Sequence, residues 1–187
     1  MTERRSFLQT LAGGTLLGLT GLPLLPAGSA STSPGPRPPS DVALLNVALE
    51  LEHTAIFAYG VAAGSGLLSK GTLELGGLFK GSHEAHRAAL TLVIKELGGF
   101  PIAPKSAYDL SAFDLKTEVD VLRLALFLEM KAANTYQKAL AQFRSRKLLD
   151  AAGRIMGDEV SHATVLRSAL GKAPVAFYGQ LDEVGFE

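Results

Sequence analysis

Glu159 and His162 stand three residues apart, a spacing that on a helix sets a carboxylate and an imidazole on one face, within reach of a single metal ion. The residues sharing that face, Ala152, Ile155, Leu166 and Ala169, are all apolar. A carboxylate directed into such a face is unfavourable unless it is paired or bound to metal. The pattern recurs along the chain. Glu52 interrupts a stripe of Leu45, Ala48, Ala55 and Tyr59; Glu129 interrupts Leu122, Ala125, Ala132 and Tyr136; His83 and His86 interrupt Phe79, Leu90 and Val93. If the four seams face one another, the three carboxylates and three imidazoles supply enough donors for two iron or manganese ions, with room for water or oxygen. A site with one copper or zinc ion on His83, His86 and His162 plus one glutamate is the competing arrangement. Glu50 and Glu84 fall on other faces and read as solvated. His53 lies beside its seam and reads as a supporting histidine rather than a ligand.

Four helices are needed to carry these residues. The spacing predicts them roughly over 41–59, 78–97, 117–143 and 147–170, with Ser40 as the first N-cap and Asp41 in the first turn. The stretch 60–77 is rich in glycine and its form is left open. Gly98 and Gly99 stop the second helix, and the proline-containing segment to Leu115 is long enough to cross over along the bundle, its aromatic residues covering the side. The fold class is all-α: a four-helix bundle over 41–171 with one long crossover connection between helices two and three. Residues 172–187 read as an irregular tail in which Phe177, Tyr178 and Phe186 are free to pack on the bundle or on a neighbour.

Composition narrows the chemistry. The 187 residues are 47% hydrophobic and 19% charged, which suits one globular domain with a sizeable core. Lys plus Arg equals Asp plus Glu at 18 each, so no field favours nucleic acid. There is no cysteine, which removes disulfides, thiolate nucleophiles and cysteine-held clusters and leaves His, Asp and Glu to bind a metal. Residues 1–30 resemble a twin-arginine signal: Arg4-Arg5 precedes an apolar run and then small residues with a cleavage point after Ala30. That reading sends the protein to the periplasm or cell envelope. An uncleaved segment would instead anchor it in a membrane or an envelope complex. Residues 31–40 are a Pro- and Ser-rich linker.

Taken together the seams resemble the ferritin-like superfamily, and most nearly its exported bacterial ferritin-like domain proteins. The family pattern is a Glu on helix one, Glu-x-x-His on helix two, a Glu on helix three and Glu-x-x-His on helix four. Glu52, His86, Glu129, Glu159 and His162 match it; His83 stands where the family has a glutamate. The resemblance implies a redox centre that handles oxygen, peroxide or superoxide in oxidative-stress defence, with a metal ion and a small oxidant as partners. Tyr59 and Tyr136 would relay electrons or protons, or simply pack. Two other readings stay open: a copper site with superoxide dismutase-like activity, and a non-catalytic metal store or structural bundle, alone or as a homo-oligomer.

Overall fold

Ser40 caps α1 (Asp41–Gly64), its side chain accepting from the Ala43 N–H at 3.2 Å. The structure, a computed structural model, describes residues 40–174. The signal or anchor expected at 1–30, the linker before Ser40, and the tail aromatics Phe177, Tyr178 and Phe186 lie outside the described residues.

The glycine-rich stretch 60–77 turns out to be mostly helix, because α1 runs on to Gly64 and α2 (Lys70–Glu96) starts early. The cause is tertiary. Ser69 accepts from the Thr72 N–H, while its own N–H and hydroxyl donate to Glu118 Oε1 at 3.1 and 2.7 Å. That anchored cap offsets Gly71, Gly76, Gly77 and Gly81 inside α2, each roughly 0.5–1 kcal/mol less favourable than alanine in a helix interior. α3 (Glu118–Leu140) opens with a reciprocal cap between Thr117 and Asp120, and α4 (Arg146–Ala169) follows a short turn. No strand occurs among the described residues.

α1 pairs with α2 and α3 with α4, and α1 lies beside α3. The two halves are antiparallel: the start of α1 (Leu45, Leu49) packs with the end of α3 (Tyr136, Ala139) and Phe143 just beyond it, and the end of α2 (Leu90, Ile94) with the start of α4 (Leu148, Ile155). A second apolar cluster, with Phe79, Leu122, Leu126, Met130 and Leu166, fills in around Tyr59. Between the two clusters sit the buried charged and polar residues. α1 is long and apolar enough to cross a membrane by length and composition, yet it buries Glu52 and His53 inside the bundle.

Residues 97–117 make the expected long crossover. Gly98 has φ +73°, and a Cβ at Gly99 would stand 2.6 Å from Val42 Cγ1, so the chain leaves α2 tight against the start of α1. Asn46 then holds the crossover twice, donating to the Phe100 carbonyl at 3.1 Å and accepting from the Ile102 N–H at 3.0 Å. Tyr108 packs its ring 5.5 Å from Phe57, and Phe113 lies 5.4 Å from Phe127.

Four expectations need correction. Phe100 does not cover the bundle and is 89% exposed, because the Asn46 contacts use its backbone. Ala169, the last residue of α4, is exposed; on α2 it is Ile94 rather than Val93 that turns fully inward. Glu50 is half-buried and pairs with Lys105, which pins the crossover to α1.

Candidate metal centre

All six seam residues, Glu52, His83, His86, Glu129, Glu159 and His162, are buried, the three glutamates completely. They form two overlapping quartets: Glu52, His83, His86 and Glu159; and His83, Glu129, Glu159 and His162. Within each, one donor atom per residue lies within 4.8 Å of all the others. His83 and Glu159 belong to both. His83 Nδ1 is 2.8 Å from Glu52 Oε2, and its Nε2 is 3.2 Å from Glu129 Oε1, so its two nitrogens face the two quartets. His86 Nδ1 stands 3.1 Å from Glu159 Oε1, and His162 Nδ1 3.3 Å from Glu129 Oε2.

The tyrosines brace this set crosswise. Tyr136 on α3 donates to Glu52 Oε1 on α1 at 2.5 Å, and Tyr59 on α1 donates to Glu129 Oε1 on α3 at 2.5 Å. The reciprocity follows from a repeat: Leu45, Ala48, Glu52, Ala55 and Tyr59 recur 77 residues on as Leu122, Ala125, Glu129, Ala132 and Tyr136. On α2 and α4, His86 matches His162 and His83 matches Glu159, 76 residues on. An antiparallel α1 and α3 carrying the same seam must place each tyrosine, two turns beyond its own glutamate, against the glutamate of the other helix.

Electrostatics tie the cluster together. Burial is the largest single influence on each histidine and lowers its pKa, but hydrogen bonds and charges from the glutamates together outweigh it. Glu129 and Glu52 push His83 up to about 11; Glu159 and Glu52 push His86 to about 10; Glu129 and Glu159 push His162 to about 9. Burial likewise works against the ionised form of Glu52 and Glu129, and here the histidines prevail and hold both below the ordinary carboxylate range. For Glu159 burial wins and its pKa is raised. Burial, followed by the neighbouring glutamate charge, keeps both tyrosines protonated well above the usual phenol range.

The donor set fits divalent cations. Both carboxylate oxygens of Glu159 and Nδ1 of His86 are buried without a hydrogen-bond partner; the pair is close but not aligned for one. Buried polar atoms left so are rare, and a shared cation between the donors satisfies them. Mixed imidazole and carboxylate donors suit iron, manganese, copper and zinc.

Asp158 escaped the seam pattern, and Phe79, a member of the α2 stripe, gave no sign there of its contact with a cluster histidine. Asp158 Oδ2 sits 3.1 Å from His86 Nε2, which turns Nδ1 of that ring toward the cluster. Phe79 stacks on His162 with ring centroids 4.1 Å apart. Asp158 adjoins Glu159 but lies off the seam, so helical spacing alone gives no signal for it. His53 stays outside both quartets, with Nε2 3.2 Å from the Ile102 carbonyl of the crossover, and Glu84 faces Lys80 at 3.5 Å on the outer side of α2.

The model of the ferritin-like domain matches residues 40–172, and the chain belongs to that family. Its fold is similar to the crystal structure of a conserved hypothetical protein, rv2844, from Mycobacterium tuberculosis, with 23% identity over 73% of this chain and 94% of that one and a TM-score of 0.66. No curated protein matches.

Proposed function

We propose that the protein is an exported, metal-dependent oxidoreductase that consumes peroxide or another small oxidant at a pair of iron or manganese ions. The observation that carries this reading is the convergence of six buried donors into two quartets that share His83 and Glu159. Neither quartet contains all three cluster histidines, which favours two ions over a single copper or zinc ion on His83, His86 and His162.

In this reading Glu52 and His86 would hold one ion and Glu129 and His162 the other, with His83 and Glu159 available to both. Bound there, ions of this type would supply electrons to the oxidant and would be returned to their reduced state by an external electron donor. The chain supplies the rest. Tyr59 and Tyr136 fix Oε1 of Glu129 and Glu52 and keep a proton there, ready for a reduced oxygen atom. Apolar residues above and below the cluster exclude water. Histidines protonated in the metal-free chain must lose their protons to bind, so loading releases protons into solution.

Export is supported by the Arg4-Arg5 stretch and the Pro- and Ser-rich linker after it. Elemental analysis of protein purified from its own compartment, together with peroxide loss under assay, tests the whole reading. Two equivalents of iron or manganese with turnover are expected. Stoichiometric metal without turnover makes the protein a store, and no stoichiometric metal makes the bundle structural.

A further inference from the structure

Around Tyr136 the bundle is filled by Leu45, Leu49, Leu90, Phe143 and Ile155. On one side of the Tyr59 ring, by contrast, the second apolar cluster leaves a gap. A cavity of about 110 Å³ lies between α1, α2 and α3 and reaches α4, walled by Tyr59, Leu75, Gly76, Phe79, Leu122 and Leu166. Its lining is almost wholly carbon; the ammonium of Lys80 at its edge faces Glu84 at 3.5 Å. An apolar pocket of this kind, partly open to solvent at its Lys80 edge, takes an uncharged apolar guest that displaces weakly held water, as an enclosed cavity of about 150 Å³ takes benzene.

Two of its walls belong to the metal centre. The Tyr59 ring lines the cavity while its hydroxyl donates to Glu129 at 2.5 Å, and the Phe79 ring lines it while stacking on His162. A guest there is one side chain away from a donor on α3 and another on α4. Small residues keep the space open. A Cβ on Gly76 would meet Tyr59 Cδ1 at 3.7 Å, an ordinary contact, and one on Gly77 would meet nothing within 4 Å, so nothing steric demands glycine at either position.

We propose that this cavity binds a small, uncharged, apolar organic molecule, aromatic or branched and about the size of benzene, as the organic partner of the centre. Its partnership with the centre rests on the metal-dependent reading above; its capacity to bind the molecule does not.

The test uses toluene as probe on the full chain, both metal-free and loaded with cobalt(II). Saturable binding by calorimetry is expected in both forms, at least tenfold weaker in Gly76→Leu, whose side chain fills the space. Toluene should also shift the visible bands of the cobalt-loaded protein through Tyr59 and Phe79. Absence of saturable binding to the metal-free chain, or equal binding by the variant, overturns the cavity as a ligand site. Binding with unmoved cobalt bands overturns its link to the centre. Failure to load cobalt counts against the metal centre, and calorimetry on the metal-free chain then still decides the cavity. Gly77→Leu replaces Gly76→Leu if circular dichroism shows the latter unfolded.

Discussion

The α1–α2 half and the α3–α4 half carry the same glutamate, the same tyrosine and the same ligand histidine at matching positions, yet they differ wherever a side chain decides what the centre can do. Glu159 on α4 faces His83 on α2. Asp158 holds His86 from outside, whereas its counterpart on α2, Ser82, bonds back to its own helix at Leu78. Phe79 covers His162 and walls a cavity; the matching Ile155 sits in filled core. The repeat thus fixes which donors meet, and departures from it set charge, ring orientation and access. His83 is the sharpest of these. With the histidines held protonated and Glu52 and Glu129 held ionised, most of the charge in the cluster is paired without metal.

If the halves are equivalent at the glutamates, Glu52→Ala and Glu129→Ala should do equal damage. Each strips counter-charge from buried imidazolium groups and should cost about 3–5 kcal/mol of metal-free stability in denaturant melts run with chelator. Each should also lower bound metal by at least one equivalent. Glu84→Ala, on the outer face, should change stability by no more than about 0.5 kcal/mol and leave metal content alone. Unequal losses for the two glutamates would show that the halves are not energetically matched, and a Glu84 effect of the same size would place the site elsewhere.

The second effect concerns protons. His83, His86 and His162 have folded pKa values of about 11, 10 and 9, all above the ordinary 6.5, so their stabilisation is complete below 6.5 and is lost as pH rises through 9 to 11. Glu52 and Glu129 are shifted down, so theirs is present above about 4.5 and fades in acid; Glu159, shifted up, opposes them. Melting of the metal-free protein should therefore peak between about pH 5 and 8 and fall steeply by pH 10. The loaded protein, whose histidines have already lost their protons, should be flatter on the alkaline side. A metal-free curve that is flat from 7 to 10 would contradict the pairing of these groups.

How much of this was legible in the chain follows from what sets each feature. A single polar break in an otherwise apolar helical stripe has no solvated explanation, which is why Glu52, His83, His86, Glu129, Glu159 and His162 stand out, and with them the bundle itself. The helix over the glycine-rich stretch was not legible, because its glycines disfavour helix and its cap depends on Glu118, 49 residues away. Asp158 reaches across to another helix from an off-seam position. The cavity depends on volumes contributed by all four helices at once, which no periodicity encodes. Glu50 looked solvated because its partner Lys105 lies in the irregular crossover.

The crossed hydroxyls give a finer comparison. Tyr59→Phe and Tyr136→Phe each remove a hydrogen bond to an ionised carboxylate, worth about 1.5–3 kcal/mol, and the two losses should agree within error in chelator. They should part company in function. Tyr136 is enclosed by filled core, whereas the Tyr59 ring faces the cavity, so Tyr59→Phe alone should weaken the toluene response of the cobalt bands. Identical responses in both variants would remove the asymmetry between the ends.

The smallest effect separates helix preference from packing. Gly76 on α2 occupies the place that Ala152 occupies on α4, and Ala152 is buried in filled core. Gly76→Ala should raise stability by about 0.5–1 kcal/mol, since alanine is the better helix former and its Cβ meets Tyr59 at ordinary contact distance. The same methyl enters the cavity wall, so toluene affinity should fall slightly while the melting temperature rises. A gain in stability with unchanged affinity would mean that the wall at Gly76 does not bound the guest. A loss of stability would mean that Tyr59 cannot tolerate the contact, and that the glycine is there to hold the tyrosine at its distance from Glu129.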